Sequence, residues 1–168
     1  PASRVAVTPD RIVSARRLSA TDDEALRRFA VAGPSLLVRD RPTRAGQYVI
    51  AVALGPRAVR ESAAGFRRYL ELEGATAALR RVDREGLLAG RDSVTRRYAK
   101  YAKAIVEVGA GGAAAHDRVA AFPLEFVMRT DPRRLAVGDT VVVELRFGGA
   151  PLAGAPVHAD HAVAEASR

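Results

Sequence analysis

The run Gln47-Tyr48-Val49-Ile50-Ala51-Val52-Ala53-Leu54 constrains this chain more than any other stretch. Tyr48, Ile50, Val52 and Leu54 alternate with Gln47, Val49, Ala51 and Ala53, so a strand here is apolar on both faces. Such a strand holds only where neighbours cover it on both sides, which makes it a central, well-covered strand. The polar turn Arg39–Gly46 leads into it, and Gly55-Pro56 predicts its end.

A second stretch, Arg96–Gly109, contains both lysines of the chain and two of its four tyrosines. Its end alternates as a half-buried strand does, with Ala102, Ala104, Val106 and Val108 on one face and Lys103, Ile105 and Glu107 on the other. Its beginning also fits the end of a helix, because Tyr98, Ala102 and Ile105 fall at helical spacing. Gly109 marks its stop, and Gly109–Asp117 reads as a linker.

Between these two stretches the period is helical. Val59, Ala63, Phe66 and Leu70 form one apolar stripe, Gly74 suits a C-cap, and Ala75–Val82 suits a second short helix. Asp92 or Ser93 is placed to cap a third. Thr21 and Glu24 have capping-box spacing. Phe29–Val31 and Leu36–Val38, separated by Gly33-Pro34, predict two strands joined by a turn. Further along, Phe122–Met128 reads as a strand with a proline near its start. Thr140–Phe147 reads as another, with Val141, Val143, Leu145 and Phe147 inward, and Ala150–Ala159 as the next. The expected fold is mainly β with a helical insert, built as two β-sandwich, immunoglobulin-like modules. The first spans residues 1–112 and carries a two- to three-helix excursion over about 57–98; the second, 119–168, is an incomplete sandwich.

The net charge of +8 invites a nucleic-acid reading. The basic residues, however, are almost all arginines scattered in pairs, and only 5% of the chain is aromatic, too little to stack bases between them. No nucleic-acid partner is expected. Without cysteine, thiolate metal sites and disulfides are excluded. No apolar run reaches the ~20 residues that span a bilayer, and Pro1-Ala2-Ser3-Arg4 is not expected to open a signal peptide.

His158, Asp160 and His161 are the one tight group of potential metal ligands in the sequence. On a strand His158 and Asp160 share a face, whereas in a turn all three converge, and nickel and cobalt accept imidazole and carboxylate. The competing reading is a solvated terminal segment. His116-Asp117 reads as a linker pair, and Lys100 and Lys103 as solvent-facing cations beside Tyr98 and Tyr101. Thr21–Glu24 lacks the spaced oxygens of a calcium loop, and Gly109–Gly112 lacks the lysine of a phosphate loop. Ser62 and Ser93 lack a glycine-flanked elbow. No enzymatic activity is expected.

Six segments then occur in a telling order: Ala45–Ala51, Phe66–Gly74, Arg97–Gly109, Phe122–Val127, Leu135–Thr140 and Gly149–Val157. The series resembles a bacterial periplasmic family, domain of unknown function 4198, described as the periplasmic component of ABC-type nickel/cobalt transport. The resemblance covers roughly residues 45–160. It implies a periplasmic or otherwise extracytoplasmic protein of β-sandwich modules that works beside the membrane components of a metal transporter. It also implies a histidine following the signal peptide, which Pro1–Arg4 does not supply. The expected function is thus a non-enzymatic extracytoplasmic β-sandwich protein, accessory to nickel or cobalt uptake or binding a small ligand. The alternative is a structural or protein-interaction module with no metal role.

Overall fold

The computed structural model describes residues 7–157. Their fold is mainly β, with antiparallel sheets and two helices. Two compact units emerge. Among the described residues, one takes residues 7–57 together with Arg97–Leu152; the other takes Ala58–Arg96 and residues 153–157.

The first unit is organised by strand β5 (Gly46–Ser62), which lies between β1 (Ile12–Leu18) and β6 (Ser93–Val108) in the order β2-β1-β5-β6, where β2 is Asp23–Ala25. The central placement expected of Gln47–Leu54 is therefore found. Its two faces are not equal, however. Gln47, Val49, Ala51 and Ala53 are buried, and Val49, Ala51 and Ala53 join Leu18, Ala120 and Phe122 in a core flanked by Tyr101 and Ile105. On the other face, the bulkier Ile50, Val52 and Leu54 are only half-buried.

Gly55-Pro56 does not end the strand, which continues to Ser62. The pairing with β1 finishes at Ile12 opposite Leu54, so Pro56 lies beyond the last β1 partner, where its missing N–H breaks no bond to that strand. The β1–β5 register shifts between Ile12 and Ser14, leaving Val13 71% exposed.

Thr21–Glu24 starts no helix. Ser19 Oγ accepts from the backbone N–H groups of Thr21 and Asp22 and closes the β1–β2 turn. Asp23 and Glu24 then pair across the ladder with Arg16 and Arg17, each at 2.7 Å. Local hydroxyl-to-backbone bonds offer the chain a turn in place of a cap. The hairpin of β3 (Phe29–Ala32) and β4 (Ser35–Val38) forms as the sequence suggests, turning at Gly33 with φ +57°.

β6 is a single strand of sixteen residues from Ser93, so the helical spacing of Tyr98, Ala102 and Ile105 is overridden by pairing in the sheet. Gly109, at φ +64°, ends it as expected. The segment that follows is no loose linker: Gln47 N donates to Ala113 O at 3.0 Å, and Gly46 bridges Ala113.

β7 (Leu124–Met128), β8 (Val143–Phe147) and β9 (Ala150–Pro151) make a three-stranded antiparallel sheet. Leu124 pairs with Phe147, Phe126 with Leu145 and Met128 with Val143, which gathers six apolar side chains on one face. That face is not the interior the alternation predicts. Val143 is 43% exposed, Phe126 46% and Phe147 62%.

In the second unit, the helical stripe yields two helices, α1 (Ala63–Leu72) and α2 (Thr76–Arg84), rather than a third as well. Ser62 caps α1 by accepting from Gly65 N at 3.0 Å, while Val59 stays in β5. Gly74, at φ +63°, turns the chain between the helices. Arg67 pairs with Asp83 across them, and Leu70 and Val82 are their buried residues. Arg96 pairs with Glu61 and lies over the Tyr69 ring, 4.2 Å from its centroid.

Candidate functional site

The half-covered face of β5 opens into a cleft of about 890 Å³ within the first unit. Val52 and Leu54 of β5, Tyr101 of β6, Phe29 and Leu36 of the β3–β4 hairpin, and Phe126 of β7 are among its lining residues. A concave, largely apolar site of this size with few polar groups is the usual form of a small-molecule site. Four of the nine aromatic residues of the chain lie here: Phe29, Tyr101, Phe122 and Phe126. Tyr101 and Phe122 stack with ring centroids 5.3 Å apart.

Three charged residues reach the lining: Lys100, Lys103 and Glu125. Lys103 and Glu125 are bound to each other at 2.6 Å, with side chains 13% and 1% exposed. Lys103 also donates to Arg118 O at 2.7 Å. Glu125 accepts from the backbone N–H groups of Ala120 at 2.5 Å and Phe122 at 3.2 Å. The carboxylate thus ties the turn before β7 to β6, and its charge is matched inside the fold. Ala121, in the middle of that turn, has φ +57°. Lys100, by contrast, forms no ion pair among the described residues; it stands 5.8 Å from the centroid of the Tyr98 ring.

A second polar knot lies in the same unit. Gln47 Oε1 accepts from the backbone N–H groups of Ala115 at 2.9 Å and His116 at 2.6 Å, and His116 Nδ1 lies 3.1 Å away. Asp131 sits 3.9 Å from His116 Nδ1 and receives Arg133 at 2.8 Å. The Arg133 guanidinium, helped by its backbone N–H and by Gln47, holds the Asp131 carboxyl well below its ordinary value, against the opposing effect of desolvation. His116 is therefore a tied residue of the fold and not a linker histidine.

His158, Asp160 and His161 lie outside the described residues. Among the described residues no three histidine, aspartate or glutamate side chains gather as a metal would require. Lys100 and Lys103, expected to behave alike, have separate environments, since one is exposed and the other half-buried against Glu125. Ser62 is a helix cap, and Ser93 accepts from Arg60 at 2.9 Å. The sequence reading missed Glu125. Its signal was present as a lone carboxylate inside the apolar run Phe122–Met128, where β alternation alone places it outside.

Among the described residues no helix is long and apolar enough to cross a membrane. No curated protein and no solved structure matches the chain. A family model matches residues 10–167, nearly the whole chain. By that match the chain belongs to the family described as Domain of unknown function (DUF4198).

Proposed function

We propose that this chain is a non-enzymatic, extracytoplasmic module of the β-sandwich, immunoglobulin-like kind that binds a small apolar ligand in the cleft of its first unit. The cleft itself carries the reading. It gathers four of the nine aromatic residues with a row of aliphatic ones around open space, and the ion pair on its lining is satisfied within the fold.

The test is uptake of the neutral fluorophore N-phenyl-1-naphthylamine, which brightens in apolar surroundings. The wild-type chain is expected to bind it, and Leu36→Glu, which puts a charge on the lining, to abolish binding. Leu37→Glu, on the opposite face of the same hairpin strand, leaves it intact. A wild-type chain that does not bind, or a Leu36→Glu variant that binds equally well, refutes the reading.

A second reading, accessory to nickel or cobalt uptake beside the membrane components of a transporter, is supported by the His158, Asp160 and His161 cluster in the sequence. Calorimetric titration with nickel and with cobalt checks it. Stoichiometric binding that is lost in the His158→Ala, His161→Ala double variant places the metal there, and silence in both proteins removes it.

A further inference from the structure

We infer that the ligand of the cleft is the free acid of a long-chain acyl group, with its chain along the apolar lining and its carboxylate on Lys100. The inference rests on the binding function proposed above and adds the chemistry of the head group. Lys100, Lys103 and Glu125 are the charged residues of the lining, which leaves it a net positive charge. The members of the buried pair are already committed. Glu125 is filled by Lys103 and two backbone donors, and Lys103 is turned to Glu125 and to Arg118 O.

Lys100 is the cation left over. It is exposed, is on the lining, and has no carboxylate partner among the described residues. A lysine offers a compact single charge with three donors, which suits one carboxylate, whereas multiply charged phosphates are met by arginine forks or several cations. Elsewhere the lining is overwhelmingly aliphatic and aromatic, from Ile12, Val52 and Leu54 to Leu124, Phe126 and Leu145. It offers no array of amides or hydroxyls with which to read a sugar or a nucleobase. A flexible chain of methylenes with one anionic end is the ligand that satisfies both features.

Three amphiphiles with the same tail separate the head group from the chain: laurate, dodecanol and dodecyltrimethylammonium. Each is used below its micellar concentration to displace N-phenyl-1-naphthylamine from the folded chain. Laurate is expected to displace at about tenfold lower concentration than dodecanol, the scale of one charge-assisted hydrogen bond, with the cationic amphiphile weakest. Lys100→Gln is expected to bring laurate level with dodecanol, and Lys100→Glu to reverse the order of laurate and the cation. Arg80→Glu makes the same change in net charge at an exposed residue outside the lining and is expected to leave the order untouched.

Equal displacement by laurate and dodecanol in the wild type overturns the head-group assignment, as does an order unchanged in Lys100→Glu or equally altered in Arg80→Glu. In each of these cases probe binding still stands, so the cleft reading survives. A wild-type chain that fails to take up the probe at all overturns both.

Discussion

Replacing Glu125 with alanine removes the acceptor on which three donors converge: Lys103 Nζ at 2.6 Å, Ala120 N at 2.5 Å and Phe122 N at 3.2 Å. The Glu125 side chain is 1% exposed and that of Lys103 13%, so solvent does not readily replace the lost carboxylate. Breaking a buried ion pair by deleting one partner costs about 3–5 kcal/mol. Each stranded buried N–H group adds about 1–3 kcal/mol. The two costs overlap, because the same oxygens serve all three donors and Lys103 keeps its bond to Arg118 O. The expected loss for Glu125→Ala is therefore about 4 kcal/mol, near the low end of whole-domain stabilities.

Glu125→Gln keeps an oxygen for the backbone donors but gives up the charge, so its expected cost is about 2 kcal/mol. Urea unfolding followed by circular dichroism is the assay, read as a shift in midpoint at unchanged slope. If the alanine variant does not fold, the glutamine variant still carries the test. A Glu125→Gln midpoint that matches wild type, or an alanine variant more stable than the glutamine one, would refute the reasoning. Lys103→Met completes a double-mutant cycle with Glu125→Gln, and a coupling of less than about 0.5 kcal/mol would deny that the pair acts as a unit.

Gly112 and Gly111 both have positive φ, +82° and +78°, but only Gly112 is crowded. A Cβ on Gly112 would fall on the carbonyl of Ala45, whereas one on Gly111 meets nothing within 4 Å. Gly111→Ala is expected to cost about 1–2 kcal/mol from the left-handed backbone alone. Gly112→Ala is expected to cost clearly more, and melting temperatures in that order check the crossing of residues 45–46 with 112–113. Arg133→Ala is expected to raise the Asp131 carboxyl toward its ordinary value of 3.8, as seen in a carboxyl NMR titration. The sign follows from linkage. The lowered Asp131 pKa contributes stability that is present in full above 3.8 and is lost as the pH falls below it. Wild-type urea midpoints should accordingly drop more between pH 5 and pH 3 than those of Arg133→Ala.

The sequence revealed elements wherever a local pattern coincided with tertiary demand. Gln47–Leu54 alternates, has turns before it and lies at the centre of its sheet, and the β3–β4 hairpin follows from Gly33-Pro34. The stretch from Ser93 to Tyr101 was ambiguous, because a short run with alanines, tyrosines and paired charges fits either period; a long partner strand decided it. The inward face of β8 was misjudged for a related reason. Alternation separates two faces but does not say which one meets a core, and here the apolar face of Leu124, Phe126, Val143 and Phe147 remains half in water. The contacts of His116 and Glu125 were not legible, even though Glu125 stands out as a lone carboxylate in an apolar run. Their partners, Gln47, Asp131 and Lys103, are distant in sequence, and no local spacing announces a contact made by folding.

The placement of bulk within the first unit is itself an argument about function. Its dry core is largely small, with Ala51, Ala53 and Ala120 packed between Leu18, Val49 and Phe122. Ile12, Phe29, Leu36, Val52, Leu54 and Phe126 line the cleft instead. At about 25 cal/mol per Å² of apolar surface removed from water, a sequence shaped by stability alone would place its largest side chains where burial is complete. Keeping them around open space forgoes part of that stabilisation, although the Lys103–Glu125 pair ties β6 to the turn before β7 beside it. Single exposed apolar residues call for no explanation, but a continuous apolar lining does. The missing burial is recovered only when something apolar fills the cleft, so occupancy should raise the unfolding midpoint with the logarithm of ligand concentration once that concentration exceeds the dissociation constant.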